Sequence, residues 1–224
     1  MKKKLSAVPF GRKRKPPVTD PIRDAEDRFG MPFLIKQQVS LWEKDITRHT
    51  TQEFARIGKG FRRHCGPTAI TNLILTLHHR HRYLKEPVSA RNVFAEVSEI
   101  GRKKGIYWNT DFLNMFGGTY DVLTRIYIRD CLKHYGIPAR IGGTFLSSKA
   151  RALKALEEGK LLYLQLLYHP IYGNHHLLAY GYTVLHSVNG RQKEVYLILA
   201  DGWSRQPRYL RFTGPGIRHF LEVS

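Results

Sequence analysis

The hydrophobic period of this chain changes once, near residue 137, and that change limits the fold more than any other feature. Before it, apolar residues recur at helical spacing. After it, they gather in runs of strand length separated by glycine and asparagine. Ser89 caps a helix that carries Val93, Phe94, Val97 and Ile100 to about Gly101. Asp121 or Thr119 starts another, through Leu123, Ile126, Tyr127 and Cys131, that ends at Gly136. Residues 137–141, 160–168, 175–186, 193–200 and 208–212 then read as strands, with an amphipathic helix over 147–158. Asn189-Gly190 is the hairpin signal between two of the strands. Helices first and an antiparallel sheet afterwards make an α+β architecture.

The front of the chain is less regular. Asp20, Pro21 and the acids that follow are a capped helix start, with a stop at Gly30. Residues 31–64 carry scattered aromatics with no sustained period, and read as loops with at most a short strand. Residues 1–19 hold seven Lys and Arg side chains and no acid before Asp20's approach at Pro16-Pro17, a basic tail expected to stay disordered ahead of a single domain over 20–224. The net charge of +19 implies weak affinity for polyanions, with that tail as its main carrier. No apolar run approaches the ~18 residues of a membrane span, and the basic start lacks the apolar centre of a signal peptide. Cys65 and Cys131, far apart in the chain, are a poor disulfide framework and fit a reducing cytoplasm, with Cys131 packed in mid-helix. There is no phosphate-binding glycine loop followed by Lys and Ser or Thr. The His78-His79-Arg80-His81 cluster fans out around a helix and cannot converge on one metal ion, and no cofactor is expected.

Chemistry concentrates at three places. His64-Cys65-Gly66-Pro67-Thr68-Ala69 opens the apolar run 70–77, which reads as a buried helix reaching about Tyr83. Pro67 suits the first helical turn, and Gly66 lets the backbone approach a bound group. Cys65 then sits at the helix N-terminus, where free N–H groups and the dipole favour a thiolate, although a free Cys can equally be an inert packed thiol. Asn174-His175-His176 opens one apolar strand, and Asp201-Gly202-Trp203 closes another. An imidazole beside a thiolate, with an acid on its far nitrogen, is the arrangement of nucleophilic catalysis. Strand alternation puts His175 and His176 on opposite faces, so only one of them can meet Cys65. Asp201 can alternatively be a plain turn residue before Gly202.

These motifs, in this order, resemble the papain-like cysteine peptidases, most closely the bacterial branch of bacteriocin-leader (double-glycine) processing peptidases and their stand-alone relatives. The resemblance spans roughly Arg56 to Phe212 and is specific at the three motifs. Cys65-Gly66-Pro67-Thr68-Ala69 is similar to the branch's nucleophile motif. The spacing of six residues to Gly181 selects His175 as the catalytic histidine and leaves His176 to packing or the substrate side. Asp201 falls where the family has its Asn or Asp, and Trp203 where a Trp shields the acid–imidazole bond. The resemblance implies a Cys65-His175-Asp201 triad on a papain-like fold, acting on a peptide or protein substrate. The chain departs from it at Lys59, where the family has a Gln that serves the oxyanion hole. Losing such a donor costs on the order of 100- to 1,000-fold in rate. Two other readings share these residues: a transglutaminase- or acyltransferase-type enzyme with the same triad order, and a catalytically silent or weak protein that binds polyanions through its basic surface.

Overall fold

The computed structural model describes residues 15–56, 63–84, 88–108, 118–143, 148–212 and 216–224. The basic tail up to residue 14 and Lys59 lie outside them. Six helices are described: α1 (Pro21–Phe29), α2 (Thr51–Ala55), α3 (Cys65–His81), α4 (Ala90–Lys103), α5 (Thr124–His134) and α6 (Lys149–Glu157). The strands are β1 (Phe33–Ser40), β2 (Tyr107–Trp108), β3 (Gly118–Thr119), β4 (Ile141–Gly142), β5 (Leu161–His169), β6 (Gly173–Ser187), β7 (Lys193–Ala200), β8 (Arg208–Arg211) and β9 (Ile217–Val223). The protein is a mixed α+β fold built on one antiparallel sheet, in the order β4-β9-β5-β6-β7-β8, with β1 also paired to β6.

Most elements start and stop where their capping chemistry dictates. Asp20 accepts hydrogen bonds from the N–H groups of Ile22 and Arg23, Pro21 fills the first turn of α1, and Gly30 ends it in the left-handed region. Ser89 and Ser148 cap α4 and α6 in the same manner. Two regions depart from the sequence expectation. The stretch read as loops contains an eight-residue strand, β1, and the short helix α2. The strand expected over 137–141 reduces to Ile141–Gly142, and β9, with no counterpart in the sequence reading, closes that side of the sheet.

β6 is the spine. Its first half pairs with β5 and its second half with β1, while β7 runs along its other edge from Leu178 to His186. β1 passes so close to β6 that a Cβ on Gly181 would stand 2.2 Å from the carbonyl oxygen of Val39, so only glycine fits there. Buried side chains of α3, α4 and α5, among them Ile70, Leu73, Val97 and Tyr127, pack against Tyr163, Leu178 and Ile198 on one face of the sheet. Ala152 and Leu156 of α6 pack against Leu162, Leu177 and Leu197 on the other. Burial of this extent on both faces, at about 25 cal/mol per Å² of apolar area, holds the site's two halves together.

Candidate active site

The site lies where β7 stops. Its ladder with β6 begins at the Leu178–Ala200 pair, so β6 residues 175–177 have no β7 partner, and the N-terminus of α3 approaches that edge. Cys65 is the first residue of α3, followed by buried Gly66 and Pro67. Its thiol is hydrogen-bonded to the His175 imidazole and receives the backbone N–H groups of His176 and Gly66. Burial works against a thiolate here, but the His175 contact and those two N–H groups outweigh it and lower the thiol below its ordinary value. For His175 burial disfavours the charged ring, while Cys65 first and Asp201 after it raise its proton affinity above the ordinary value. The two shifts are the two sides of one Cys65–His175 contact, which favours the charged form of each partner.

Asp201 meets His175 through its main chain. His175 Nε2 lies 2.7 Å from the carbonyl oxygen of Asp201. A carbonyl only accepts, so Nε2 must carry the proton, and Nδ1 is left to face the sulfur. The carboxylate is engaged elsewhere. Its Oδ1 accepts from the N–H groups of Trp203 (2.9 Å) and Ser204 (3.0 Å), closing a turn, and its Oδ2 accepts from the Tyr172 hydroxyl at 3.3 Å. The sequence reading expected the Asp201 carboxylate as the partner of the ring; the turn at Gly202, with φ of 72°, directs the carbonyl there instead.

Trp203 stands against His175, with ring centroids 4.9 Å apart. Tyr172 stacks on His175 as well, its ring nearly parallel at 5.5 Å, and touches Trp203 with centroids 4.9 Å apart. His176 turns to the opposite face of β6, where its ring meets Tyr163, and its backbone N–H reaches Cys65. Cys131 is fully buried in α5, and burial raises its thiol far above the ordinary value.

The sequence reading missed four supports. Tyr172 precedes His175 by three residues, a spacing that strand alternation does not place together but a tight turn does. Thr119 of β3 packs against Gly66: a Cβ there would lie 2.1 Å from its Oγ1. Tyr107, paired with Thr119, is fully buried near Cys65, and burial followed by the thiolate's charge raises its phenol. Finally, Thr51 N–H donates to the Gly202 carbonyl at 2.8 Å, and Arg205 Nε bonds Glu53 at 2.7 Å, which ties α2 to the Asp201 turn. Asn72 of α3 binds both backbone groups of His49 at 2.9 Å, so the same segment also grips α3. Apart from Tyr172, whose His175 contact is local, these partners carry no local sequence signal, because each is defined by a residue far away in the chain.

Among the described residues no group of three or more His, Cys, Asp or Glu side chains could hold a metal ion, and no helix is long and apolar enough to cross a membrane. The chain matches no family model and no curated protein.

Proposed function

We propose that the protein is a papain-like thiol hydrolase that cleaves a peptide or amide bond. The observation that carries this reading is the Cys65–His175 pair, with the thiol lowered and the imidazole raised at the N-terminus of α3. In the proposed cycle the Cys65 thiolate attacks the carbonyl carbon and forms a tetrahedral oxyanion. His175 Nδ1–H passes its proton to the leaving amine as the C–N bond breaks, which leaves an acyl-cysteine. His175, now neutral, takes a proton from water, the resulting hydroxide adds to the thioester, and collapse returns the acid and the thiolate. The Asp201 carbonyl keeps Nε2 protonated throughout, so Nδ1 alone exchanges the proton.

The substrate of this reading is a peptide or protein, and two free cysteines, one buried and one paired with histidine, suit a reducing, cytoplasmic setting. The net charge of +19 favours a second reading, polyanion binding on a catalytically silent fold. The two separate on the rate of alkylation of Cys65 by iodoacetamide against pH, in protein lacking Cys131. The hydrolase reading expects a rate that stays high well below pH ~8.5, the ordinary thiol value, and that reverts to ordinary behaviour in His175→Ala. An ordinary thiol profile in both proteins sinks it.

A further inference from the structure

Tyr172 belongs to no motif, yet it makes three contacts at once: its ring stacks on His175 at an interplanar angle of 6°, its ring meets Trp203 at 4.9 Å, and its hydroxyl donates to Asp201 Oδ2. It is 1 % exposed, and Asp201 is fully buried. We infer that Tyr172 is a positioning residue of the Cys65–His175 pair, which acts by holding the Asp201 carboxylate in its turn so that the Asp201 carbonyl stays on Nε2. This inference rests on the thiol-hydrolase reading of the site.

The argument is one of degrees of freedom. A carboxylate has two oxygens and, about its own side-chain torsions, could swing onto the imidazole that lies next to it. Oδ1 is fixed by two backbone N–H groups of its own turn, whereas Oδ2 has the Tyr172 hydroxyl. Burying that oxygen without a donor is costly, so the hydroxyl removes the incentive to rotate. The two rings, themselves in contact, then both pack on the imidazole, with Tyr172 stacked and Trp203 tilted at 49°. Other ionisable groups surround the pair without duplicating this contact. Cys65 faces it from α3, His169 from the end of β5, Tyr107 lies near the thiol, and Arg208 of β8 acts on Tyr172 from a distance.

The test is the pH profile of iodoacetamide alkylation in four full-length proteins lacking Cys131: otherwise unchanged, Tyr172→Phe, Asp201→Asn, and both substitutions together. Phe keeps the stacking and removes the hydroxyl alone. Loss of this hydrogen bond, long at 3.3 Å, should change alkylation near pH 6 by about three- to tenfold and displace the profile's acid limb, downward where the freed carboxylate takes Nε2–H and upward where the ring leaves Cys65. In the Asp201→Asn background, where two backbone N–H groups keep the amide oxygen and the acceptor at the Oδ2 position is gone, Tyr172→Phe should change nothing further. A structural role alone would move the midpoint of thermal unfolding and leave the profile in place. If the unchanged protein already titrates as an ordinary thiol, the hydrolase reading fails. If its thiol is activated and Tyr172→Phe alkylates with the same profile, or displaces it equally in both backgrounds, the inference about Tyr172 fails. Should Tyr172→Phe not fold, Tyr172→Leu, which is smaller and carries no hydrogen-bond donor, is compared in the same two backgrounds.

Discussion

His175 Nε2 and the main-chain carbonyl oxygen of Asp201 are 2.7 Å apart, while the Asp201 carboxylate binds Trp203, Ser204 and Tyr172. The ring is therefore oriented by a group that no substitution at position 201, short of altering the turn, removes.

Asp201→Asn should keep the pH profile of Cys65 alkylation within about threefold, because Asn can still close the turn and the carbonyl stays in place. Asp201→Ala should behave differently. It orphans the buried Tyr172 hydroxyl, at about 1–3 kcal/mol, and two part-buried backbone N–H groups that water can partly satisfy, at less. Chemical denaturation reads that loss, and alkylation reads the site. An Asp201→Asn protein as slow as His175→Ala would mean that the carboxylate, not the carbonyl, governs the ring.

The two cysteines should be told apart by a thiol reagent at neutral pH. Cys65 is partly exposed with its thiol lowered, and Cys131 is buried with its thiol raised by burial and the Asp130 charge. One thiol per chain should react at once and the second only in denaturant. Cys65→Ser should abolish the fast phase, whereas Cys131→Ser should leave it unchanged. A fast phase that survives Cys65→Ser would contradict this assignment.

What could be read from the sequence follows the range of each interaction. The start of α3 was legible because Gly66, Pro67 and the apolar run act within a few residues of Cys65, and β6 and β7 because Asn189-Gly190 joins them locally. β1 was not, since its burial pattern is mostly exposed and its only reason to be a strand is β6, about 150 positions later in the chain. β9 was missed for a related reason: its partners β5 and β4 lie far upstream, and nothing beside it marks a hairpin. At the site, motif spacing located Cys65, His175, Asp201 and Trp203, but the choice between the carbonyl and the carboxylate of Asp201 depends on a backbone turn that spacing does not encode.

Two glycines should respond oppositely to relief. Gly66→Ala would drive a methyl into Thr119, within 2.1 Å of Oγ1 and 2.8 Å of its Cβ, at a cost of about 1–3 kcal/mol. Thr119→Gly removes both atoms and should recover most of that loss. Gly181→Ala meets backbone instead, the Val39 carbonyl at 2.2 Å and Ser40 Cα at 3.0 Å, and no truncation of a side chain clears it. Denaturation midpoints of the single and double variants test both statements. An additive Gly66→Ala, Thr119→Gly pair would contradict the packing of β3 on α3.

Glu53 should contribute an acid-labile clamp on the same turn. Burial alone would raise its carboxyl, but the Arg205 and His49 hydrogen bonds and charges outweigh this and hold it at about 2, against an ordinary 4.5. A depressed carboxyl stabilises the folded chain fully above its unfolded value and loses that contribution as pH falls through the folded one. The window is therefore pH 4.5 down to about 2. Glu53 is partly exposed, so salt should weaken the effect. Other carboxylates, such as Glu96 and Asp130, are lowered as well, and the wild-type slope includes them. The difference between wild type and Glu53→Gln isolates the clamp: the thermal midpoints should converge as pH drops across that window and stand apart above it. Because Thr51 N–H binds the Gly202 carbonyl beside it, Glu53→Gln should also slow Cys65 alkylation modestly at neutral pH, by about twofold, through a looser Asp201 turn. A constant gap between the two proteins at every pH would show that Glu53 stabilises by packing and not by its charge.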